Sequence, residues 1–410
     1  MAPNPPIDSG PSPDIDYARI GVISLGHFTN DLSGNLMTSL TPYLVLRGEI
    51  TATVSGLFLL TYLIGSSVLQ PAFGVLSDRT GRRLFAVFGP LWVGVAASLF
   101  GWANSAALFM CLGMLGGVGS AAFHPQAASM IDRLSHRSKG WTMSLFSMGG
   151  NLGFAIGPLV AAAIASVGMH WSALVLIPGV ILSVLLALFA PDPSAPIRPA
   201  GRESIRSVSS GRWQPLSLIV GVIALRSGVQ FALIIFLPLY FHARGLPTQL
   251  GSYCAFALSI AGALAGLLGG HLSDLYGRRL IVVGSLLVSV PLLVASLVVP
   301  AIFAVPLFVL TGGTLLASNS VTVVQGQELL PGNTGMASGL TLGLAFGLSG
   351  VITLALTSVS DAAGVRTAVF LLPFVTVLAA ACAWLVPNGS ASRSRRARKS
   401  VPPLGMTGAG

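Results

Sequence analysis

The sequence predicts an all-α membrane protein of twelve transmembrane helices arranged as two pseudo-symmetric six-helix bundles. Three observations predict it. Hydrophobic residues make up 53% of the 410-residue chain and charged residues only 8%, too little surface charge to keep a water-soluble domain of this size dissolved. Twelve apolar runs follow one another, each of roughly 20 residues or more, the length of helix that spans a bilayer core. The string GVLSDRTGRR from Gly74 to Arg83 returns 196 residues later as GHLSDLYGRR from Gly270 to Arg279, so the last six runs repeat the first six.

The runs are continuous rather than alternating, which excludes a barrel and leaves helices, the structure that satisfies its own backbone in hydrocarbon. Residues 1–16 are Pro-rich and read as a disordered N-terminus. The first run, 18–46, carries a polar stripe of His27, Asn30 and Asp31. The second, 52–77, leads into the repeated loop, and the third, 84–103, leaves it. In the fourth, 105–132, His124 and Gln126 flank Pro125, which removes a backbone N–H and bends the helix. The fifth, 138–167, has Gly149, Gly153 and Gly157 at four-residue spacing before Pro158, a flank bare enough for close approach of another helix. The sixth covers 169–190. The polar stretch 191–213 then separates a bundle at 17–190 from one at 214–387.

The seventh run, 214–242, contains Arg226, and Pro238, Arg244 and Gly245 at its end match Pro42, Arg47 and Gly48 at the end of the first. The eighth, 247–273, enters the second copy of the loop and the ninth covers 279–299. The tenth, 301–328, supplies Ser318, Asn319, Thr322, Gln325 and Gln327 as polar wall. The eleventh, 333–360, echoes the glycine stripe with Gly343, Gly347 and Gly350, and the twelfth covers 364–387. A basic tail, 388–410, follows.

With the N-terminus inside, eighteen of the 22 Lys and Arg fall on the cytoplasmic side, while Arg47, Arg244 and Arg366 fall outside and Arg226 lies within a span. Both termini are therefore expected in the cytoplasm. The net charge of +10 is spread over membrane-proximal loops, where it meets anionic lipid, so nucleic acid is not an expected partner. Cys111, Cys254 and Cys382 sit inside spans without paired spacing, which argues against disulfides and a zinc site. The histidines and Asp31 lack a close metal spacing such as HExxH, so neither metal nor cofactor is expected. No GxxxxGK[ST] loop occurs, which leaves a gradient as the energy source.

The two GxxxDRxGRR-type loops, the twelve runs and the central linker together resemble the major facilitator superfamily, over residues 17–387. Within it, His27-Phe28-Thr29-Asn30-Asp31, Gln70-Pro71, the string GSAAFHPQ from Gly119 to Gln126 and the string GGNLGFAIGP from Gly149 to Pro158 resemble the fosmidomycin-resistance group of drug exporters. The resemblance implies a bacterial inner-membrane transporter, expected as a monomer, in which two bundles rock around a cavity lined by spans 1, 4, 7 and 10. It also implies a conformational latch made of Gly74, Asp78, Arg79, Gly81, Arg82 and Arg83, repeated by Gly270, Asp274, Gly277, Arg278 and Arg279. Leu275 replaces the arginine of the second copy, which weakens that latch. Gly153, Gly157 and Pro158 resemble the fifth-helix motif of antiporting exporters, although Ala161 and Ala162 stand where its final glycines are expected. The arginine that drug and proton antiporters carry early in span 4 is missing from Leu112–Gly119.

Asp31 is the acid placed deep in a span, where an ionised carboxylate costs about 2.5–3.5 kcal/mol on insertion scales. His27, one turn earlier, shares its helical face. A coupling group must bind a proton from one side and release it to the other. Asp31 facing a movable counter-charge meets that requirement, and His27 is a second carrier, because imidazole ordinarily titrates near about 6.5. Arg226, at the repeat position of Asn30, is the expected counter-charge. A permanent network of the same groups is the alternative. Asn30, His124, Gln126, Asn319 and Gln325 are expected on the cavity wall. The expected function is proton-coupled export, by antiport, of a small polar or anionic drug-like compound such as a phosphonate antibiotic, with Arg226 and His124 as anion contacts. Proton-coupled uptake of a metabolite is the alternative. A membrane sensor or an intramembrane enzyme lacks support, since neither a signalling domain nor a paired catalytic constellation is present.

Overall fold

Every apolar run becomes helical, because a segment of that length in hydrocarbon satisfies its backbone only through bonds within itself. The computed structural model describes residues 16–80, 83–134, 139–191, 212–330, 337 and 339–387. In order, α1 is Tyr17–Leu46, α2 is Ala52–Val68 continued by Gln70–Thr80, α3 is Leu84–Phe100, α4 is Ala106–Arg133 and α5 is Lys139–Val167. A 3-10 segment, Met169–Val175, runs into Leu176–Phe189 to make α6, and α7, α8 and α9 are Trp213–Ala243, Thr248–Tyr276 and Arg278–Val298. Helix α10 joins Ala301–Leu316 to Asn319–Leu329, α11 opens on a π-helical turn, Gly339–Leu344, before Ala345–Ala363, and α12 is Val365–Leu385.

These twelve helices occupy the twelve expected spans, and no strand occurs among the described residues. Ten are long and apolar enough to cross a bilayer. The other two differ for opposite reasons: α3 is apolar but only 17 residues long, whereas α1 has 30 residues and dilutes its apolar character with the His27 to Asn35 stripe. Expected features at 1–15, in the linker 192–211, at 333–336 and in the tail from 388 lie outside the described residues.

The internal repeat reappears as a repeated helix cap. Gly48 and Gly245 adopt φ of 72° and 75°, the left-handed region that glycine enters without a Cβ penalty. After each, the chain turns back identically: Glu49 N donates to Leu44 O and Leu246 N to Phe241 O, both at 3.0 Å, closing α1 and α7 with the same six-to-one bond.

The chain divides into two compact units, residues 1–40 with 64–198, and residues 41–63 with 199–410. The segment Thr41–Leu63 is held within the second unit. There Asp361 at the end of α11 accepts from Ala52 N at 2.9 Å and from Thr53 N at 2.7 Å, capping the first turn of α2, and Tyr43 shares a 2.8 Å hydrogen bond with Ser252.

Inside the first unit, Ile20, Ile23, Val87, Phe123, Met130, Phe146 and Leu186 bring α1, α3, α4, α5 and α6 onto one core. The bare flank of α5 lies against α1. A Cβ on Gly153 would run into the backbone at Phe28 and Leu32, and one on Gly157 into Asn35 and Leu36. Asn35 Nδ2 ties the same seam by donating to Phe154 O at 2.6 Å.

Candidate functional site

The close α1–α5 seam places a polar cluster within the first unit. His27 and Asp31 lie one turn apart on α1, so both side chains leave the same face. Their atoms meet at 3.2 Å, His27 Nε2 to Asp31 Oδ2. From α4, just before the Pro125 bend, His124 Nε2 reaches Asp31 Oδ1 at 3.3 Å and His27 Nε2 at 3.1 Å. Gly150 on α5 leaves the necessary room, because a Cβ there would collide with the His27 ring and approach Asp31 Oδ2 to 2.8 Å. The His27 ring also stacks on Phe146 with centroids 4.1 Å apart.

The other ring nitrogens determine what the cluster can hold. His27 Nδ1 lies 2.8 Å from Phe146 O, and His124 Nδ1 lies 2.8 Å from Ser120 O. A carbonyl only accepts, so both Nδ1 atoms carry the hydrogen. Each neutral ring then points a bare Nε2 lone pair at the other ring and at a carboxylate. Three acceptors at that separation repel one another unless a cation lies among them, and the smallest such cation is one shared proton. Asn30, fully buried, donates to Asp31 Oδ1 at 3.0 Å and to Ser120 Oγ at 3.4 Å, which orients the carboxylate. Asp31 and His124 keep 23% and 24% of their side-chain surface open, so the cluster is accessible on one side while His27 forms its floor.

Gln126 departs from expectation. It is fully buried rather than on a cavity wall, with Oε1 accepting from Ala86 N at 2.6 Å and Nε2 donating to Ser77 Oγ at 2.8 Å. Its amide fastens α4 to the start of α3 and to α2, because the Pro125 bend turns it into the helix interface. Gln126→Leu leaves Ala86 N–H without that acceptor, which costs about 1–3 kcal/mol. A lower unfolding temperature with unchanged relative affinities among substrates is the expected result.

In the second unit, Arg226 on α7 is 1% exposed, and its Nη2 donates to Asn319 Oδ1 at 2.9 Å and to Ser227 Oγ at 3.4 Å. Asn319 opens the second segment of α10, directly after the break at Ala317–Ser318. Among the described residues, Arg226 Nε and Nη1 have no hydrogen-bond partner. Buried donors are normally satisfied, so this guanidinium offers two unanswered nitrogen donors to an anion. Gln325, a further turn and a half along α10, is half-buried. The partners of Asp31 are thus groups of the first unit and those of Arg226 groups of the second.

The repeated loop is best seen in its second copy. Arg278 clasps Glu328 at the end of α10, with Nε 2.9 Å from both carboxylate oxygens and Nη2 2.8 Å from Oε1, while Nη1 reaches Asp274 at 3.2 Å and Ser273 Oγ at 3.2 Å. Glu328 is the partner that sequence reasoning did not name. Gly277 takes φ 101° to turn the chain, Gly270 lies beside Ser320, and Arg279 stacks over Trp384 at 4.2 Å. Exposed ion pairs of this kind contribute about 0–1 kcal/mol, which suits a contact that opens and recloses. In the first copy, Arg83 Nη1 donates to Ala190 O at the end of α6, and Gly74 faces Pro125. Gly81 and Arg82, with the side chains of Asp78 and Arg79, lie outside the described residues.

Comparison with known proteins agrees with this architecture. A family model described as Major Facilitator Superfamily matches residues 23–354. The Uncharacterized MFS-type transporter YfnC of Bacillus subtilis is 30% identical over 399 residues, covering 91% of this chain and 93% of its own length. The Fosmidomycin resistance protein of Escherichia coli is 27% identical over 390 residues, with the same coverages of 91% and 93%. The Multidrug resistance protein MdtG of Serratia proteamaculans is 28% identical over 319 residues, 72% of this chain and 73% of its own. Among solved structures, a bacterial homologue of the human lysosomal transporter Spinster, inward-facing and unoccupied, has a TM-score of 0.74 at 16% identity, covering 92% of this chain and 97% of its own. The nucleoside transporter NupG reaches 0.75 at 13% identity, with coverages of 90% and 99%. At those identities the likeness to solved structures is one of fold. Family match, full-length relatives and twelve-helix architecture converge: the chain is a multi-pass membrane protein that belongs to the major facilitator superfamily.

Proposed function

We propose that this transporter is a proton-coupled exporter of a small polar or anionic drug-like compound, of which a phosphonate antibiotic is the type, working by alternating access in a bacterial inner membrane. Support for the coupling comes above all from the acceptor atoms of three side chains, Asp31, His27 and His124, that converge where a cation relieves their repulsion. Support for an anionic substrate comes from Arg226, whose two unanswered donors suit a phosphonate or carboxylate. A relative over nine-tenths of the chain is named for fosmidomycin resistance, and another for multidrug resistance, which favours export.

In this reading the cluster loads a proton from outside and releases it inside. Arg278, Glu328 and Asp274, with the equivalent first loop, hold the cytoplasmic side shut at one stage of the cycle. One proton entering down 100 mV and one pH unit supplies about 3.7 kcal/mol, enough to sustain a gradient of a few hundred-fold for a neutral solute.

Everted membrane vesicles test the proposal. With an interior held one pH unit more acid and about 100 mV positive, a labelled phosphonate antibiotic is expected to accumulate inside and to leak out when a protonophore is added. Accumulation driven by protons in right-side-out vesicles instead would establish uptake and overturn export. Movement indifferent to the proton gradient would overturn coupling.

A further inference from the structure

The same three side chains have a chemistry that proton coupling does not use. Each presents a metal-ligand atom: an imidazole Nε2 from His27, another from His124 and a carboxylate oxygen from Asp31, all within 4.8 Å of one another. A tetrahedral zinc ion holds nitrogen at about 2.0–2.1 Å and oxygen at about 2.0–2.2 Å, so its neighbouring ligand atoms lie about 3.3 Å apart. Here the two Nε2 atoms are 3.1 Å apart, and each meets its own carboxylate oxygen, His27 at 3.2 Å from Oδ2 and His124 at 3.3 Å from Oδ1, close to that spacing. Because the two histidines meet different oxygens of the carboxylate, an ion takes either oxygen after a small rotation, or both.

The outer partners fit as well. Metal-bound histidines commonly donate their second ring N–H to a carbonyl or carboxylate, which fixes the tautomer and aims the free nitrogen at the ion. His27 does so toward Phe146 O and His124 toward Ser120 O, and Asn30 steadies the carboxylate. The rings are thus held in the metal-binding tautomer before any ion arrives. A set of two nitrogens and one carboxylate suits Zn²⁺ and Co²⁺ and is poor for Mg²⁺ or Ca²⁺, which require oxygen ligands. The open side at Asp31 and His124 leaves a fourth position for water.

We infer that His27, Asp31 and His124 form a three-ligand site for a divalent d-block cation, Zn²⁺ foremost, occupying the position of the shared proton. The inference rests on the cluster that the proposed coupling also uses, but binding at equilibrium requires no gradient and no transported substrate.

The test uses full-length protein in detergent, purified without a polyhistidine tag and stripped by chelator. Titration with Co²⁺ is expected to give one equivalent of visible absorption of four-coordinate intensity, which Zn²⁺ then bleaches. His124→Ala and Asp31→Asn should each weaken binding at least about tenfold, the loss that removal of even an outer partner of a metal ligand can bring. His170→Ala, distant in sequence and outside the cluster, should leave the titration unchanged. Size-exclusion profiles confirm folding, and His124→Gln replaces His124→Ala if the latter aggregates. No absorption change, or binding undiminished in the His124 and Asp31 variants, overturns the site. Zinc binding in a protein whose transport ignores protons sustains the site and removes the coupling. Proton-driven transport without metal binding does the reverse.

Discussion

Asp31→Asn is expected to abolish gradient-driven accumulation while the protein still folds and inserts. An asparagine preserves the volume at Asp31 and can accept from Asn30 Nδ2, as the carboxylate does at 3.0 Å, and its own amide can donate to one of the facing Nε2 atoms. The variant therefore relieves the repulsion among the acceptors without a proton. What it lacks is a group that gains and loses charge. The accumulation ratio in everted vesicles is expected to fall from a few hundred-fold toward one, the full contribution of one proton, about 3.7 kcal/mol. Exchange of labelled for unlabelled substrate, which needs binding and the conformational change but no net proton movement, should persist. Two results count against the carrier role. Aggregation of Asp31→Asn would mean that the carboxylate is part of a permanent scaffold. Undiminished proton-driven accumulation would mean that coupling resides elsewhere.

Why that residue could be singled out from sequence, and its neighbours only in part, follows from the range of helical periodicity. Asp31 and His27 are four residues apart on one helix, so their shared face is legible without coordinates. His124 lies on another helix, and nothing in its spacing says that it meets Asp31 rather than lipid. The convergence of the three side chains is a product of packing. The glycine stripe on α5 was legible as a bare flank, but the decisive glycine for the cluster is Gly150, one position off that stripe, and it can be recognised only once α5 is laid against His27. Gln126 misled because a polar residue beside a proline kink has two outlets, a cavity or a helix interface, and the sequence does not distinguish them. The repeat was legible down to the pairing of Gly48 with Gly245, and the structure shows both as left-handed caps. The attachment of Thr41–Leu63 to the second unit was not, because it depends on Asp361, more than 300 residues along the chain.

Arg226→Met provides the second large effect, and its sign on stability separates the two roles open to a buried arginine. A guanidinium that holds helices together is expected to have its donors answered, and its loss then destabilises strongly, because partners are left unpaired. Among the described residues Arg226 instead keeps Nε and Nη1 unanswered and bonds to Asn319 and Ser227 alone, so the free protein carries the desolvation penalty of a buried charge without full compensation. Methionine follows the same stem into the same space and removes that penalty. The unfolding temperature is expected to stay level or rise. Transport should move the other way: losing one partner of a buried charge pair costs about 2–5 kcal/mol, so apparent affinity for an anionic phosphonate should fall at least about 30-fold. An uncharged ester of the same compound, which never used the guanidinium charge, should lose far less. Arg226→Lys returns the charge without the planar fork and is expected to recover only part of the affinity. A marked drop in unfolding temperature for Arg226→Met, with anion and ester affected alike, would place Arg226 among the scaffold residues and leave the anionic substrate without its contact.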